Sequence, residues 1–351
     1  MSGPHRWKPV AGAALAIALG VMWVAPATGA ELPEFPPGKE TKVEDASIGG
    51  DGYYLVYVPK EYTPETKWPL VVCYHGMNGK ATTWPFKNVL GGKRCIIVGM
   101  EYYKRGSGGF GHVGKDAATV KRILPDLVKQ LSIDTKQLFI GGFSKGGFMT
   151  SSIAEQTLPL WTGILVLGAG GRASGGGARD AYRGKAVYVG VGEKDKFHKS
   201  AEAAAASYRR LGAKVTFEVY EGLGHAVNTK SEVMSDWFLA NTEFRHVEPA
   251  IAKAREFVKR KKLGLAYAEL KKAAAASDTF GLCKQAAKEA QALADQFETR
   301  FAEAEQAAGN GQYPRAADIL RKLSREFAGS ELGERAKKRL PELMQESKKP
   351  R

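Results

Sequence analysis

The sequence predicts an α/β fold, in which a mostly parallel eight-stranded sheet is flanked by helices, followed by a small all-α region. Two observations carry this prediction. Up to about Asn241, short apolar runs alternate with amphipathic helical segments. From about Glu248 the strand pattern disappears, and Ala, Lys, Glu, Leu and Gln dominate. The 351 residues, 44% of them hydrophobic, are enough for two domains with cores of their own.

The first 30 residues have the pattern of a secretory signal peptide. A basic start at Arg6 and Lys8 precedes an apolar run over residues 10–24, and small residues follow up to Ala30. The apolar run is shorter than the roughly 20 residues that span a membrane. We therefore predict cleavage after Ala27 or Ala30, and a mature protein that is secreted or periplasmic.

The remaining chain divides into eight strands and nine helices. The first two strands flank a Gly-Gly-Asp-Gly turn and predict an antiparallel hairpin. The predicted strands are residues 42–47, 53–59, 69–74, 95–100, 138–140, 161–167, 186–192 and 215–220. The predicted helices are residues 116–131, 148–154, 200–211, 232–241, 250–261, 265–276, 282–307, 314–327 and 331–345.

The strongest chemical signal is the G-x-S-x-G match centred on Ser144. It lies between an apolar strand and a helix, which is the setting that strains the serine at a sharp turn and leaves its Oγ clear of the sheet. Glycines at Gly142 and Gly146 avoid collisions where the turn is tightest. The alternative, a glycine-rich turn that happens to contain a serine, is weakened by the residues that follow.

A serine hydroxyl becomes a nucleophile only when a base takes its proton and a third group orients that base. Asp195 follows the seventh predicted strand and His225 the eighth, so both lie at the sheet edge where Ser144 is expected. We predict the triad Ser144, Asp195 and His225. Glu193 is the rival acid and His198 the rival imidazole, but His225 is the better placed because it comes directly after a strand.

An oxyanion hole needs the backbone N–H after the nucleophile and a second one from a loop after an earlier strand. The third predicted strand ends in His75-Gly76-Met77. The N–H groups of Lys145 and Met77 are therefore the predicted donors. His75 is expected to be structural, with its backbone shaping the loop.

These motifs resemble those of α/β-hydrolases of the serine carboxylesterase type. The resemblance rests on residues 70–76, the elbow at 142–147, Gly-Glu-Lys-Asp at 192–195 and Gly-Leu-Gly-His at 222–225. The pattern is similar to that of phospholipase/carboxylesterase, feruloyl-esterase and polyhydroxybutyrate-depolymerase proteins. It implies hydrolysis of a small-molecule or polymer ester through an acyl-enzyme, and it leaves the substrate open.

Composition excludes several other classes. The net charge of +15 is spread along the chain and comes without a nucleic-acid-binding signature, so we predict no specific nucleic-acid partner but consider weak association with anionic envelope surfaces. Residues 168–173 match G-x-G-x-x-A, but a Ser-Gly-Gly-Gly run stands where a dinucleotide-binding helix would begin. The histidines are scattered, so neither a cofactor nor a metal is predicted. Three cysteines are too few for a disulfide framework and are expected to be buried: Cys73, Cys95 and Cys283.

The C-terminal helices partly resemble a tetratricopeptide repeat. Gly311, Tyr313, Ala316 and Leu320 have the spacing of the second half of such a repeat, with an echo 50 residues earlier at Ala266 rather than at the regular spacing of about 34. Two irregular helical hairpins are predicted, which either bind a protein segment or pack against the hydrolase. The predicted division is a signal peptide at 1–30, an α/β-hydrolase domain at 31–244 and a tetratricopeptide-like domain at 245–351.

The leading hypothesis is a secreted serine carboxylesterase. A serine peptidase of the same fold is disfavoured because no propeller or other peptide-sizing domain precedes the hydrolase pattern. An envelope scaffold that acts through its helical region, with a vestigial hydrolase, is a third hypothesis. The intact serine, aspartate and histidine argue against it.

Overall fold

The computed structural model describes residues 32–48, 52–103, 112–171 and 179–348 of the chain. The predicted signal peptide at residues 1–30 lies outside the described residues. The same holds for the Ser-Gly-Gly-Gly run at residues 174–177.

In the described part of the chain, eight strands form one sheet in the order β1-β2-β4-β3-β5-β6-β7-β8. β1 pairs with β2 and β2 with β4 in antiparallel fashion, and all the other pairs are parallel. The predicted fold class, an α/β-hydrolase sheet opened by an antiparallel hairpin, is confirmed. The strands are β1 (Glu40–Glu44), β2 (Tyr53–Tyr57), β3 (Trp68–Tyr74), β4 (Ile96–Met100), β5 (Ile133–Phe143), β6 (Gly163–Leu167), β7 (Ala186–Gly192) and β8 (Lys214–Tyr220).

Helices cover both faces of this sheet. Side chains alternate across a strand, so in β3 Leu70 and Val72 belong to one buried cluster, whereas Val71 and Cys73 belong to another. Helices α2, α3 and α4 contribute to the first cluster, and α1 and α5 to the second. These helices are α1 (Phe86–Val89), α2 (Val113–Gln130), α3 (Lys145–Gln156), α4 (His198–Arg210) and α5 (Glu232–Asn241).

The structure departs from the sequence expectations at two places in this region. The four-residue helix α1 was not predicted, because one turn is too short to show a helical period. Strand β5 begins at Ile133, five residues earlier than its apolar run indicates, because Ile133 already pairs with Trp68 at the start of β3. The register then shifts before Leu138 pairs with Leu70. The prediction for the cysteines is confirmed, since Cys73, Cys95 and Cys283 are free and buried.

Five further helices complete the described chain: α6 (Val247–Lys259), α7 (Leu263–Ala274), α8 (Gly281–Gly309), α9 (Tyr313–Glu326) and α10 (Glu331–Glu346). Their apolar faces form one cluster that begins at Leu239 of α5 and Phe244. Helix α8 is the longest, with 29 residues, and ion pairs join it to α6, α9 and α10. The domain boundary at 244/245 stays a prediction, because α5 contributes to this cluster as well as to the sheet.

Helices α7 and α9 correspond to the two predicted repeat halves. Ala266 and Ala316 are both fully buried at equivalent places in these helices. A side chain at Gly264 of α7 would bring its Cβ to 2.1 Å from the Phe327 carbonyl oxygen, so the start of α7 packs directly on the end of α9. The likeness to a tetratricopeptide repeat stays a prediction.

No helix within the described residues combines the length and the apolar character that a membrane span requires.

Candidate active site

Ser144 lies on the strained turn between β5 and α3. Its backbone has φ 57° and ψ −121°, a region that residues other than glycine rarely adopt. Positions 142 and 146 of this turn leave no room for a side chain. A Cβ at Gly146 would lie 2.1 Å from the Tyr74 carbonyl oxygen, and one at Gly142 would lie 2.6 Å from the same atom. The two glycines of the motif therefore have the steric role that the sequence predicts.

The structure brings the three predicted triad residues into one line of hydrogen bonds. His225 Nε2 lies 2.8 Å from Ser144 Oγ, and His225 Nδ1 lies 2.8 Å from Asp195 Oδ2. An ionised carboxylate only accepts hydrogen bonds, so the Nδ1–H donates to Asp195 and leaves Nε2 free to accept the serine proton. The Asp195 side chain is fully buried, while about a third of the His225 side chain is exposed, 32%.

Asp195, not its rival Glu193, contacts the imidazole. The second oxygen of Asp195 accepts the Phe197 N–H at 2.9 Å, which fixes the carboxylate against the ring. Glu193 instead accepts the Gly222 N–H at 2.8 Å and so ties the loop after β7 to the loop that carries His225. The rival imidazole, His198, faces the Gly192 carbonyl and does not reach the serine.

Aromatic rings enclose the imidazole of His225. The ring centroid of Phe143 lies 4.8 Å from that of His225, and Phe197 lies 5.2 Å away in an edge-on arrangement. Trp84 packs on Phe143, and Phe148 packs on Phe197. An apolar wall of this kind limits the imidazole to a few orientations and offers a surface for an apolar part of a substrate.

Both predicted oxyanion donors belong to segments beside Ser144. Lys145 is the first residue of α3, where backbone N–H groups have no acceptor within the helix. In the loop after β3, a Cβ at Gly76 would lie 3.6 Å from Ser144 Cβ, so the chain passes close to the serine just before Met77. The Met77 side chain is largely exposed. The role of these two N–H groups stays a prediction.

Two residues near the site were missed by the sequence analysis. Glu101 and Tyr102 follow β4, and both contact His75 at the start of the loop that contains Met77. The signal that could have found them is their place, since they follow a parallel strand at the carboxyl edge of the sheet. A glutamate within an apolar segment is also unusual, because charged groups are rarely buried unless they are paired.

Among the described residues, no group of three or more histidine, cysteine, aspartate or glutamate side chains is arranged to hold a metal ion.

The sheet order and the serine on its strand-to-helix turn define a protein of the α/β-hydrolase fold. No protein-family model matches the chain. A stretch of 109 residues is 29% identical to the bifunctional acetylxylan esterase/xylanase XynS20E of Neocallimastix patriciarum. This match covers 29% of the chain but only 15% of that relative.

Solved structures with a similar fold include several esterases. One, from a study of two fungal esterases of Rhizomucor miehei, has 15% sequence identity and a TM-score of 0.48, and the match covers 62% of this chain and 85% of the esterase. The CE1 ferulic acid esterase of Anaeromyces mucronatus has 18% identity and a TM-score of 0.45, with 61% and 93% of the two chains covered.

Proposed function

We propose that this chain is a serine hydrolase that cleaves carboxylic esters through an acyl-enzyme. The observation that carries the proposal is the hydrogen-bonded line of Ser144, His225 and Asp195, with the serine on a strained turn at the carboxyl edge of the sheet. The weak likeness to an acetylxylan esterase/xylanase is consistent with it. The substrate is a small-molecule or polymer ester.

In the proposed mechanism, Ser144 Oγ attacks the ester carbonyl carbon while its proton passes to His225 Nε2. Asp195 holds the imidazole in the required tautomer and stabilises its positive charge. The N–H groups of Lys145 and Met77 donate to the oxyanion. Collapse of the tetrahedral intermediate releases the alcohol, which takes the proton from His225. A water molecule then attacks the acyl-enzyme and releases the carboxylic acid.

The proposal extends to where the protein acts and to its helical region. Export through a signal peptide at residues 1–30 would make it a secreted or periplasmic enzyme. The helices after residue 244 would take no part in the chemistry. They would contact a protein partner, or an anionic envelope surface that attracts the positively charged protein. Lys271 and Glu331 form an ion pair between α7 and α10, which supports a single folded helical unit.

A panel of p-nitrophenyl acyl esters and matched p-nitroanilide amides tests the proposal. The wild type should hydrolyse esters in preference to amides, and Ser144→Ala should abolish this activity without a change in circular dichroism, because no other group replaces the nucleophile. Asp195→Asn should lower kcat by about 10³- to 10⁴-fold, because the imidazole loses its orientation. Glu193→Gln is the matched control.

This control distinguishes two effects: orienting the His225 ring, which Asp195 does, and holding the loop that carries His225, which Glu193 does. Glu193 contacts the Gly222 N–H rather than His225, so Glu193→Gln should lower activity far less than Asp195→Asn. A larger loss in Glu193→Gln would assign the acid to Glu193. Activity retained by folded Ser144→Ala would refute the proposed nucleophile, and preferential cleavage of the amides would instead identify a peptidase.

A further inference from the structure

Glu101 and Tyr102 hold both ends of the loop that follows β3. The Glu101 side chain is fully buried, with Oε1 2.9 Å from His75 Nε2 and Oε2 3.3 Å from the Ala81 nitrogen. The Tyr102 hydroxyl donates to the His75 carbonyl oxygen at 2.5 Å. Two consecutive residues that follow β4 therefore hold His75 and Ala81, the first and last residues of the segment 75–81, in place.

His75 transmits this attachment to the peptide group that carries the Met77 N–H. His75 Nδ1 lies 2.6 Å from the Gly76 carbonyl oxygen, and the Gly79 N–H donates to the same oxygen at 3.2 Å. A trans peptide group is planar, so fixing the Gly76 C=O fixes the Met77 N–H, which points the opposite way. Donation to this carbonyl also polarises the peptide group and makes its N–H a stronger donor.

His75 lies between Glu101 and the Gly76 carbonyl group. Both of its ring nitrogens face oxygen atoms, Nδ1 the Gly76 carbonyl and Nε2 the Glu101 carboxylate. Burial acts to raise the pKa of Glu101, but the hydrogen bond and charge of His75, together with the N–H groups of Tyr102 and Ala81, hold that pKa below its usual range.

The Tyr102 ring also contacts the side chain of Lys145, the residue that carries the second predicted oxyanion donor. Its centroid lies 4.5 Å from that of His75 on one side, and the Lys145 Nζ lies 4.5 Å from the same ring. One side chain thus touches the residue that begins the loop and the residue that follows the nucleophile.

We propose that Glu101 and Tyr102 are positioning residues for the oxyanion hole. Glu101 fixes the His75 imidazole, the imidazole fixes the peptide group of Met77, and Tyr102 fixes the start of that loop through the His75 carbonyl. The inference rests on the proposed function, in which the Met77 and Lys145 N–H groups bind the oxyanion.

Tyr102→Phe tests this inference, with Tyr57→Phe as the matched control. Tyr57 is also a buried tyrosine whose hydroxyl donates to a main-chain carbonyl, that of Gly92 at 2.7 Å, but it lies away from the serine. Both variants lose the same atom and a similar hydrogen bond. Tyr102→Phe should lower kcat for p-nitrophenyl acetate by about 10- to 100-fold with little change in KM, since a misplaced donor is lost only from the transition state. Tyr57→Phe should keep the wild-type kcat.

Two further measurements separate positioning from general destabilisation. Affinity for a trifluoromethyl ketone, which forms a tetrahedral oxyanion adduct with serine, should fall by the same factor as kcat in Tyr102→Phe. Glu101→Gln should behave like Tyr102→Phe, because the amide keeps the shape of the side chain but loses the negative charge that faces His75 Nε2. Amide hydrogen exchange over residues 76–81 should accelerate in both variants and not in Tyr57→Phe.

Unchanged exchange in this segment, or equal loss of kcat in Tyr102→Phe and Tyr57→Phe, would overturn the inference. A wild type that hydrolyses no ester would refute the proposed function instead. The exchange measurement would then still decide whether Glu101 and Tyr102 hold the loop, because it needs no substrate.

Discussion

Two buried acids near the site differ in their neighbours. Glu101 has the imidazole of His75 as a direct partner, whereas Asp116 at the start of α2 accepts the Tyr103 N–H at 2.8 Å. Burial raises the pKa of Asp116 to about 6, and the Tyr103 N–H and the positive charges of His112 and Lys145 offset this only in part. The proposed reaction does not use Asp116, so it should affect stability rather than catalysis.

This raised pKa predicts a pH-dependent stability. A carboxyl group whose folded pKa lies above its unfolded value of 3.8 contributes stability that is fully present below that value and is lost as the pH rises through about 6. Asp116→Asn cannot ionise, so relative to wild type it should be more stable at pH 7 than at pH 4, by on the order of 2 kcal/mol. Urea unfolding at the two pH values measures this difference.

Asp180→Asn is the matched control for this measurement. Asp180 has the same side chain, but it is 92% exposed and pairs with Arg183 on the surface. If Asp116→Asn and Asp180→Asn change in stability by the same amount between pH 4 and pH 7, the pH dependence does not come from the raised pKa of Asp116.

Helices α6 and α8 of the C-terminal region end in the same kind of turn. After α6, the Lys262 N–H donates to the Phe257 carbonyl at 2.9 Å and the Lys261 N–H to that of Val258 at 2.9 Å. After α8, the same pair of bonds is closed around Gly311. Both turns need a left-handed residue, which is Gly311 with φ 76° in one and Lys261 with φ 55° in the other.

A lysine in this conformation predicts a stabilising substitution. Lys261→Gly should raise the free energy of unfolding by about 0.5–1 kcal/mol, because the left-handed backbone strains a residue with a Cβ. Gly311→Ala, the reverse change at the equivalent turn, should lower it by a similar amount. Urea unfolding followed by far-ultraviolet circular dichroism measures both. Destabilisation by Lys261→Gly would mean that its side chain contributes more than the strain costs.

At the scale of the whole molecule, the buried residues form separate clusters for the sheet and for the C-terminal helices. The clusters on the two faces of the sheet include no residue beyond Phe238 in the described chain, and the helical cluster begins at Leu239. Ion pairs join the two parts, such as Lys214 with Glu248 and Asp134 with Arg245, and Leu239 of α5 packs into the helical cluster. We therefore expect that unfolding the core of the C-terminal helices leaves the Ser144 site intact.

Ala316→Asp tests this independence in the full-length chain. Ala316 is fully buried between the helices, so an unpaired carboxylate there should destabilise the helical region by several kcal/mol. Hydrolysis of p-nitrophenyl acetate should stay near the wild-type rate while helical circular dichroism decreases. Ala252→Asp, the same change at an exposed position of α6, is the control and should alter neither signal. Loss of hydrolysis together with the helices would show that the two parts unfold as one.

Much of the candidate site could be predicted from local sequence, because local chemistry encodes it. Gly142 and Gly146 mark the two positions of a tight turn where a side chain would collide with backbone, and Ser144 lies between them. Asp195 and His225 lie three and five residues past the ends of β7 and β8, and the carboxyl ends of parallel strands meet at one edge of the sheet. The helical periods likewise indicated every helix of the C-terminal region, with ends that differ by only a few residues.

Only the tertiary structure decided which side chains support these residues. Glu101 meets His75 across 26 residues of sequence, and this contact exists because β3 and β4 are neighbours in the sheet. Glu193 is a rival to Asp195 as the acid in sequence, and the packing of the loops after β7 and β8 gives the two carboxylates different partners. Short-range patterns record backbone conformation and burial, whereas a hydrogen bond between distant segments depends on how the whole sheet brings them together.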